Sequence, residues 1–175
     1  MKEDQELSAK LLDLATLSCI DLFGAYDVSL ERSASEWSEL NERTLCGVLG
    51  FVGRGVRGTC LLASTEKPVA DSCPDGGRLR DWVGELTNQL GGRLKSQFLA
   101  REVEVALATP IVLSGVQVKP LTRGPDHRPI ALATRAGDDG TRGHVLVWIE
   151  AECNEHFQLG PEKQVENRDG EILLF

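Results

Sequence analysis

Asp81, Glu85, Asn88, Gly92 and Lys95 recur at spacings of four, three, four and three. On a helix they would form one stripe. That stripe presents two carboxylates, a carboxamide, a bare patch of backbone and an ammonium group in a row. Taken alone, acids and amides on an exposed helix face are ordinarily just solvated, and a mid-helix asparagine is only mildly unfavourable. The chain offers little other chemistry. No nucleophile–base pair and no cofactor fingerprint is readable in it. Gly53-Arg54-Gly55 lies between two strand-like runs with no helix after it, so it reads as a hairpin turn rather than a phosphate loop. The five cysteines, Cys19, Cys46, Cys60, Cys73 and Cys153, show no C-x-x-C spacing and read as free thiols used as small core residues. The histidines, His127, His144 and His156, lack metal-ligand spacing, so no metal site is expected.

The element that must position the stripe is the longest helical pattern in the chain, Leu79 to about Ala100. Trp82, Val83, Leu86, Leu90, Leu94 and Phe98 make its apolar side, which should pack on a sheet. Gly84, Gly91 and Gly92 each cost about 1 kcal/mol relative to alanine in a helix. A helix that keeps them should gain from close approach, either to its own sheet or, at Gly92 on the polar stripe, to another protein.

Around this helix the periodicities predict an amphipathic helix from Glu3 to about Leu22, stopped by Gly24. Strands are expected over Tyr26–Arg32, Leu45–Val52, Val56–Ala63, Val103–Ala108, Ile111–Leu121, Ile130–Thr134 and His144–Glu150. Ser33–Arg43 is polar around Trp37, and Ala136–Gly140 makes a turn. Pro68–Gly77 reads as a breaker-rich connector. The tail from Pro161 is charged until Ile172-Leu173-Leu174-Phe175, which could add an edge strand or fray. Two helices and mostly hairpin-linked strands predict an α+β domain with a mostly antiparallel sheet, spanning residues 1–175 as one unit.

At 175 residues and 41% hydrophobic content the chain is long enough to bury a core without staples. A net charge of −8 disfavours nucleic-acid partners, although a single docking face can still be locally basic. No run is long enough for membrane insertion, and the acidic start, MKEDQELSAK, is unlike a signal peptide. A cytoplasmic location is the resulting expectation.

The stripe does not stand alone. Asp81-x3-Glu85-x2-Asn88, followed after twenty-one residues by Pro110, resembles the signature of the CheC/CheX/FliY family of chemotaxis phosphatases. Thr109-Pro110-Ile111-Val112-Leu113-Ser114-Gly115 is similar to that family's proline-containing segment. The glycine-punctuated run Val48–Thr59 resembles its paired strands ahead of the active helix. The likeness extends from the first helix to about Glu150. A single Glu-x2-Asn makes this a one-site, CheX-like pattern. The 66–79 connector departs from it, being shorter and richer in breakers than the helical region the family places there.

The resemblance implies a CheX-like domain that dephosphorylates the aspartyl phosphate of a CheY-like response regulator. Asn88 would orient water for in-line attack, and Glu85 would pair with the regulator's lysine. Asp81, Gly92 and Lys95 would contribute to docking, and Pro110 would be the motif proline. The chain would need no cofactor of its own, because the regulator supplies magnesium. A carboxamide, donor and acceptor at once, suits the placing of a water. CheX-like pairing through sheets would allow a homodimer. The alternative reading is a non-catalytic adaptor that binds a regulator or another signalling partner through the same helix face.

Overall fold

The computed structural model describes residues 2–33, 42–116, 118, 128–136 and 140–162. The order of elements is α1 (Lys2–Gly24), β1 (Leu30–Arg32), β2 (Arg43–Gly53), β3 (Val56–Thr65), α2 (Glu66–Ser72), α3 (Leu79–Leu99), β4 (Val105–Leu107), β5 (Ile111–Val116), β6 (Ile130–Thr134) and β7 (His144–Cys153). Among the described residues the strands form one seven-stranded antiparallel sheet in the order β1-β6-β7-β3-β2-β4, and β5 also pairs with β2. The α+β architecture predicted from the sequence is therefore the one observed. Among the described residues, no helix is long and apolar enough to cross a membrane.

Both faces of the central strands are covered. Residues directly opposite in an antiparallel register share a face, so Leu62, Val147, Cys60 and Ile149 all point the same way. They join Leu11, Cys19, Leu22 and Phe23 of α1 and Leu86, Leu90, Leu94 and Phe98 of α3 in the main core. The opposite parity, Cys46, Leu61, Ala63, Leu146 and Trp148, makes a second cluster on the far face. Double burial explains why β3 reads as the unbroken apolar run Cys60-Leu61-Leu62-Ala63 instead of alternating. The β2–β3 register closes at Gly53↔Val56. Arg54-Gly55 is thus the hairpin turn, and Gly55 supplies its positive φ of 82°.

Several elements depart from their sequence expectation. The strand foreseen over Tyr26–Arg32 shrinks to β1, because the chain first has to leave α1. Asp27 does this with φ 61°, while the N–H of Val28 reaches Phe23 O (3.0 Å) and that of Asp27 reaches Gly24 O (3.1 Å). This is a left-handed helix stop in which aspartate replaces the usual glycine. The helix therefore runs through Gly24, where a full stop was expected. The end of α3 repeats the device at Glu102, φ 61°, with Val103 N–H on Phe98 O (2.9 Å). That reversal shortens the Val103–Ala108 strand to β4.

The connector over 68–77 is partly helical, since α2 occupies Glu66–Ser72. Pro68 is the third residue of α2, where a backbone N–H has no acceptor within the helix, so proline there breaks nothing. Of Ile111–Leu121, residues 111–116 form β5. Residues 34–41, 117, 119–127, 137–139 and 163–175, with the Ile172–Phe175 tail among them, lie outside the described residues.

Candidate functional site

The apolar side of α3 is set against β2 by the smallest residues in the chain. A Cβ on Gly47 would run into the Oγ1 of Thr87 and come within 2.7 Å of its Cβ, and one on Gly91 would run into Leu49 Cδ2. Thr87 is buried and pinned by a hydrogen bond from its Oγ1 to Val83 O (2.7 Å). Two missing side chains thus let the helix lie close on its sheet. Val83, Leu86, Leu90, Leu94 and Phe98 are buried as the apolar stripe predicts. Trp82 is half-buried and packs against Tyr26 in a T-shaped contact (ring centroids 5.2 Å apart, 84° between planes).

With that side pressed down, the other side is turned outward. Asp81, Glu85, Asn88, Gly92 and Lys95 are all exposed. Asp81 sits in the first turn of α3, where a carboxylate also suits the positive end of the helix dipole. An added Cβ at Gly92 would meet nothing within 4 Å, so its own fold does not require glycine there.

The sheet then brings the distant proline to this face. Strands β4 and β5 share the edge of β2, pairing at Phe51–Gly53 and at Arg43–Val48. Between them the chain turns through Ala108–Pro110, held by Ala108 N–H on Gly50 O (2.9 Å). Proline has no N–H to give, so it fits where the ladder is interrupted. This corner meets the middle of α3. Gly84, Glu85, Asn88, Leu107, Ala108, Thr109 and Pro110 line one shallow depression of ≈ 500 Å³. The wall opposite Asn88 is therefore Thr109-Pro110 itself. Lys95 and Asp81 do not line the depression; they lie toward the two ends of the stripe.

Glu85 is not a loose side chain. Gln89 Nε2 donates to its Oε1 (3.1 Å), and Tyr26 OH donates to Gln89 Oε1 (2.9 Å). Sequence reasoning passed over both residues. Gln89 was findable as the i+4 neighbour of Glu85. Tyr26 carries no such signal, being 63 positions from Gln89.

Other depressions lie elsewhere; one of ≈ 470 Å³ is lined by Arg54, Glu102, Glu104, Asn154, His156 and Gln158, among others. A larger depression of ≈ 570 Å³ lies over the β2–β3–β7 surface, where Arg57 and Glu152 are paired (Nε–Oε2 2.9 Å) and no amide, thiol or imidazole side chain contributes to the lining. Cysteines 19, 46 and 60 are buried, while Cys73 and Cys153 are partly exposed, and none is disulfide-bonded. Burial pushes the Cys46 thiol up to about 11 and that of Cys60 to about 12, so neither is a ready nucleophile at neutral pH. Among the described residues, no three His, Cys, Asp or Glu side chains converge as a metal site.

No model of a known protein family matches the chain, and no curated protein matches it in sequence. Solved structures do. CheX from Vibrio vulnificus superposes with a TM-score of 0.58 at 18% identity, covering 80% of this chain and 96% of that one. A CheC-like superfamily protein from Shewanella sp. PV-4 gives 0.59 at 18% identity, covering 80% and 97%. CheX from Desulfovibrio desulfuricans gives 0.56 at 16% identity, covering 81% and 99%. Identity this low speaks to architecture, and on architecture the neighbours agree: this chain has the CheC/CheX fold.

Proposed function

We propose that the chain is a phosphatase for the aspartyl phosphate of a CheY-like response regulator, and that α3 is the element it inserts into the regulator's site. The observation that carries this reading is the exposure of Glu85 and Asn88 on one face of α3, beside the Thr109-Pro110 corner. A carboxamide buried against its own sheet could not reach another protein; this one can.

In this reading the Asn88 side chain holds a water in line with the phosphorus, accepting a hydrogen bond from it while its NH2 group contacts the phosphoryl oxygens. The water oxygen bonds to phosphorus as the bond from phosphorus to the aspartyl oxygen breaks. Inorganic phosphate leaves, the regulator's carboxylate is restored, and the water's proton is released to phosphate or solvent. An acyl phosphate is already activated, and the regulator contributes the magnesium and the lysine. The chain has only to position. Placement of the nucleophile can supply the lower part of the ~7–11 kcal/mol available to full intramolecular positioning. Glu85 anchors the helix by pairing with the regulator's lysine, while Asp81, Gly92 and Lys95 extend the contact along the stripe.

The test is phosphate release from phosphorylated CheY-like regulators of the same organism, with wild type and with Asn88→Ala. Stimulated release should vanish in the variant while its fold persists; equal rates would refute the mechanism. Tight binding of wild type to a phosphomimic-loaded regulator with no turnover would decide for the adaptor.

A further inference from the structure

We infer that Tyr26 and Gln89 are positioning residues for Glu85, fixing its carboxylate before any partner arrives; this rests on reading Glu85 as the anchor to the regulator. An ionised carboxylate can only accept hydrogen bonds, so Gln89 has to turn its NH2 toward Glu85 and its carbonyl oxygen away. Tyr26 OH meets that oxygen at 2.9 Å, and Gln89 Nε2 meets Glu85 Oε1 at 3.1 Å. Donor and acceptor thus alternate correctly along the relay. The Tyr26–Gln89 bond is partly buried, so water competes for it less than on an open helix face, while the Gln89–Glu85 bond it orients lies exposed at the surface.

The far end of the relay is also held. Tyr26 lies in the reversal closed by Asp27, with its ring against the Trp82 indole. Trp82 Nε1 donates to Ser72 Oγ (3.0 Å), and the buried Ser72 donates to Val69 O (3.1 Å). The turn after α1 and residues of α2 and α3 therefore hold the Tyr26 end of the relay. A free glutamate loses more rotamer entropy on docking than most side chains. Here part of that ordering precedes binding, so the benefit should appear in affinity. The bond to Gln89 engages Oε1, so Oε2 is the oxygen to pair with a partner's ammonium group.

The experiment uses Tyr26→Phe, which removes the hydroxyl and keeps the ring against Trp82. Binding of a phosphomimic-loaded CheY-like regulator should weaken about three- to tenfold, the scale of one ordinary hydrogen bond. KM for the phosphorylated regulator should rise by the same factor, with kcat within about twofold because Asn88 is untouched. In a Glu85→Ala background the same change should add nothing. Unaltered affinity, or an equal loss in both backgrounds, overturns the relay.

A readout in the free protein separates this inference from the phosphatase reading. The Gln89 side-chain NH2 resonances should shift, and exchange faster with water, in both Tyr26→Phe and Glu85→Ala. If wild type neither binds nor turns over any regulator, the functional reading falls, and these resonances decide the relay alone. Their insensitivity to Tyr26 would overturn it.

Discussion

Gly91 and Gly92 are neighbours in sequence and opposites in structure. The first is buried with Leu49 where its side chain would be; the second faces open space. They mark the two faces of α3, which answer to different demands. The inner face, with Thr87 over Gly47 and Gly91 over Leu49, is constrained by packing density. The outer face, with Glu85, Asn88, Gly92 and Lys95, meets no packing requirement in its own fold. Substitutions on the inner face should therefore change stability, whereas those on the outer face should change what the protein does to a partner.

The largest expected effect lies outside. Asn88→Ala should lower regulator dephosphorylation about a hundredfold or more, given several kcal/mol of positioning at ~1.4 kcal/mol per tenfold. Alanine is about 0.5 kcal/mol better than asparagine within a helix, so the thermal midpoint should not fall. A variant that loses activity by unfolding would erase the contrast between the faces.

Next comes the inner face. Gly47→Ala should destabilise by about 3 kcal/mol in a denaturant titration, because the obstructing atoms belong to a pinned, β-branched threonine close to its backbone. The adjacent pair sharpens the comparison by sign. Gly91→Ala should lose about 1 kcal/mol, overpacking against Leu49 outweighing the gain in helix propensity, while Gly92→Ala should gain about 1 kcal/mol. Shifts of the same sign would dismiss the packing account. Weaker regulator binding by the more stable Gly92→Ala protein would mark that position as a contact.

The smallest effect concerns the thiols. A thiol whose folded pKa is raised contributes stability that is complete below its unfolded value and is lost as pH climbs toward the folded one. For Cys46 and Cys60 burial raises the value from 9.0 to about 11 and about 12, so the loss begins near pH 9. At that pH it is about 0.4 kcal/mol per thiol, readable as a lower urea midpoint than at pH 7. Native alkylation should reach Cys73 and Cys153 well before the three buried cysteines.

Much of this was legible in the residues. Helical periodicity sorted α3 into its two faces, and the burial of Val83 through Phe98 follows from the same stripe. Strands β2 and β3 and their turn were readable because apolar runs bracket a glycine that can adopt positive φ. Boundaries were less legible where a left-handed residue is not glycine. Asp27 and Glu102 end two helices, and nothing in an acidic residue announces that role. The α2 helix was hidden by Pro68, which counts as a breaker in composition but not in a first turn.

The sequence alone determined which side chains share a surface of α3, because a repeat of 3.6 residues per turn is a local property of the chain. Pairings between distant segments belonged to the tertiary structure. Pro110 came to Asn88 because β4 and β5 divide one edge of β2, and Tyr26 came to Gln89 because α1 and α3 pack side by side. Such contacts depend on how whole elements stack, and no local spacing encodes that.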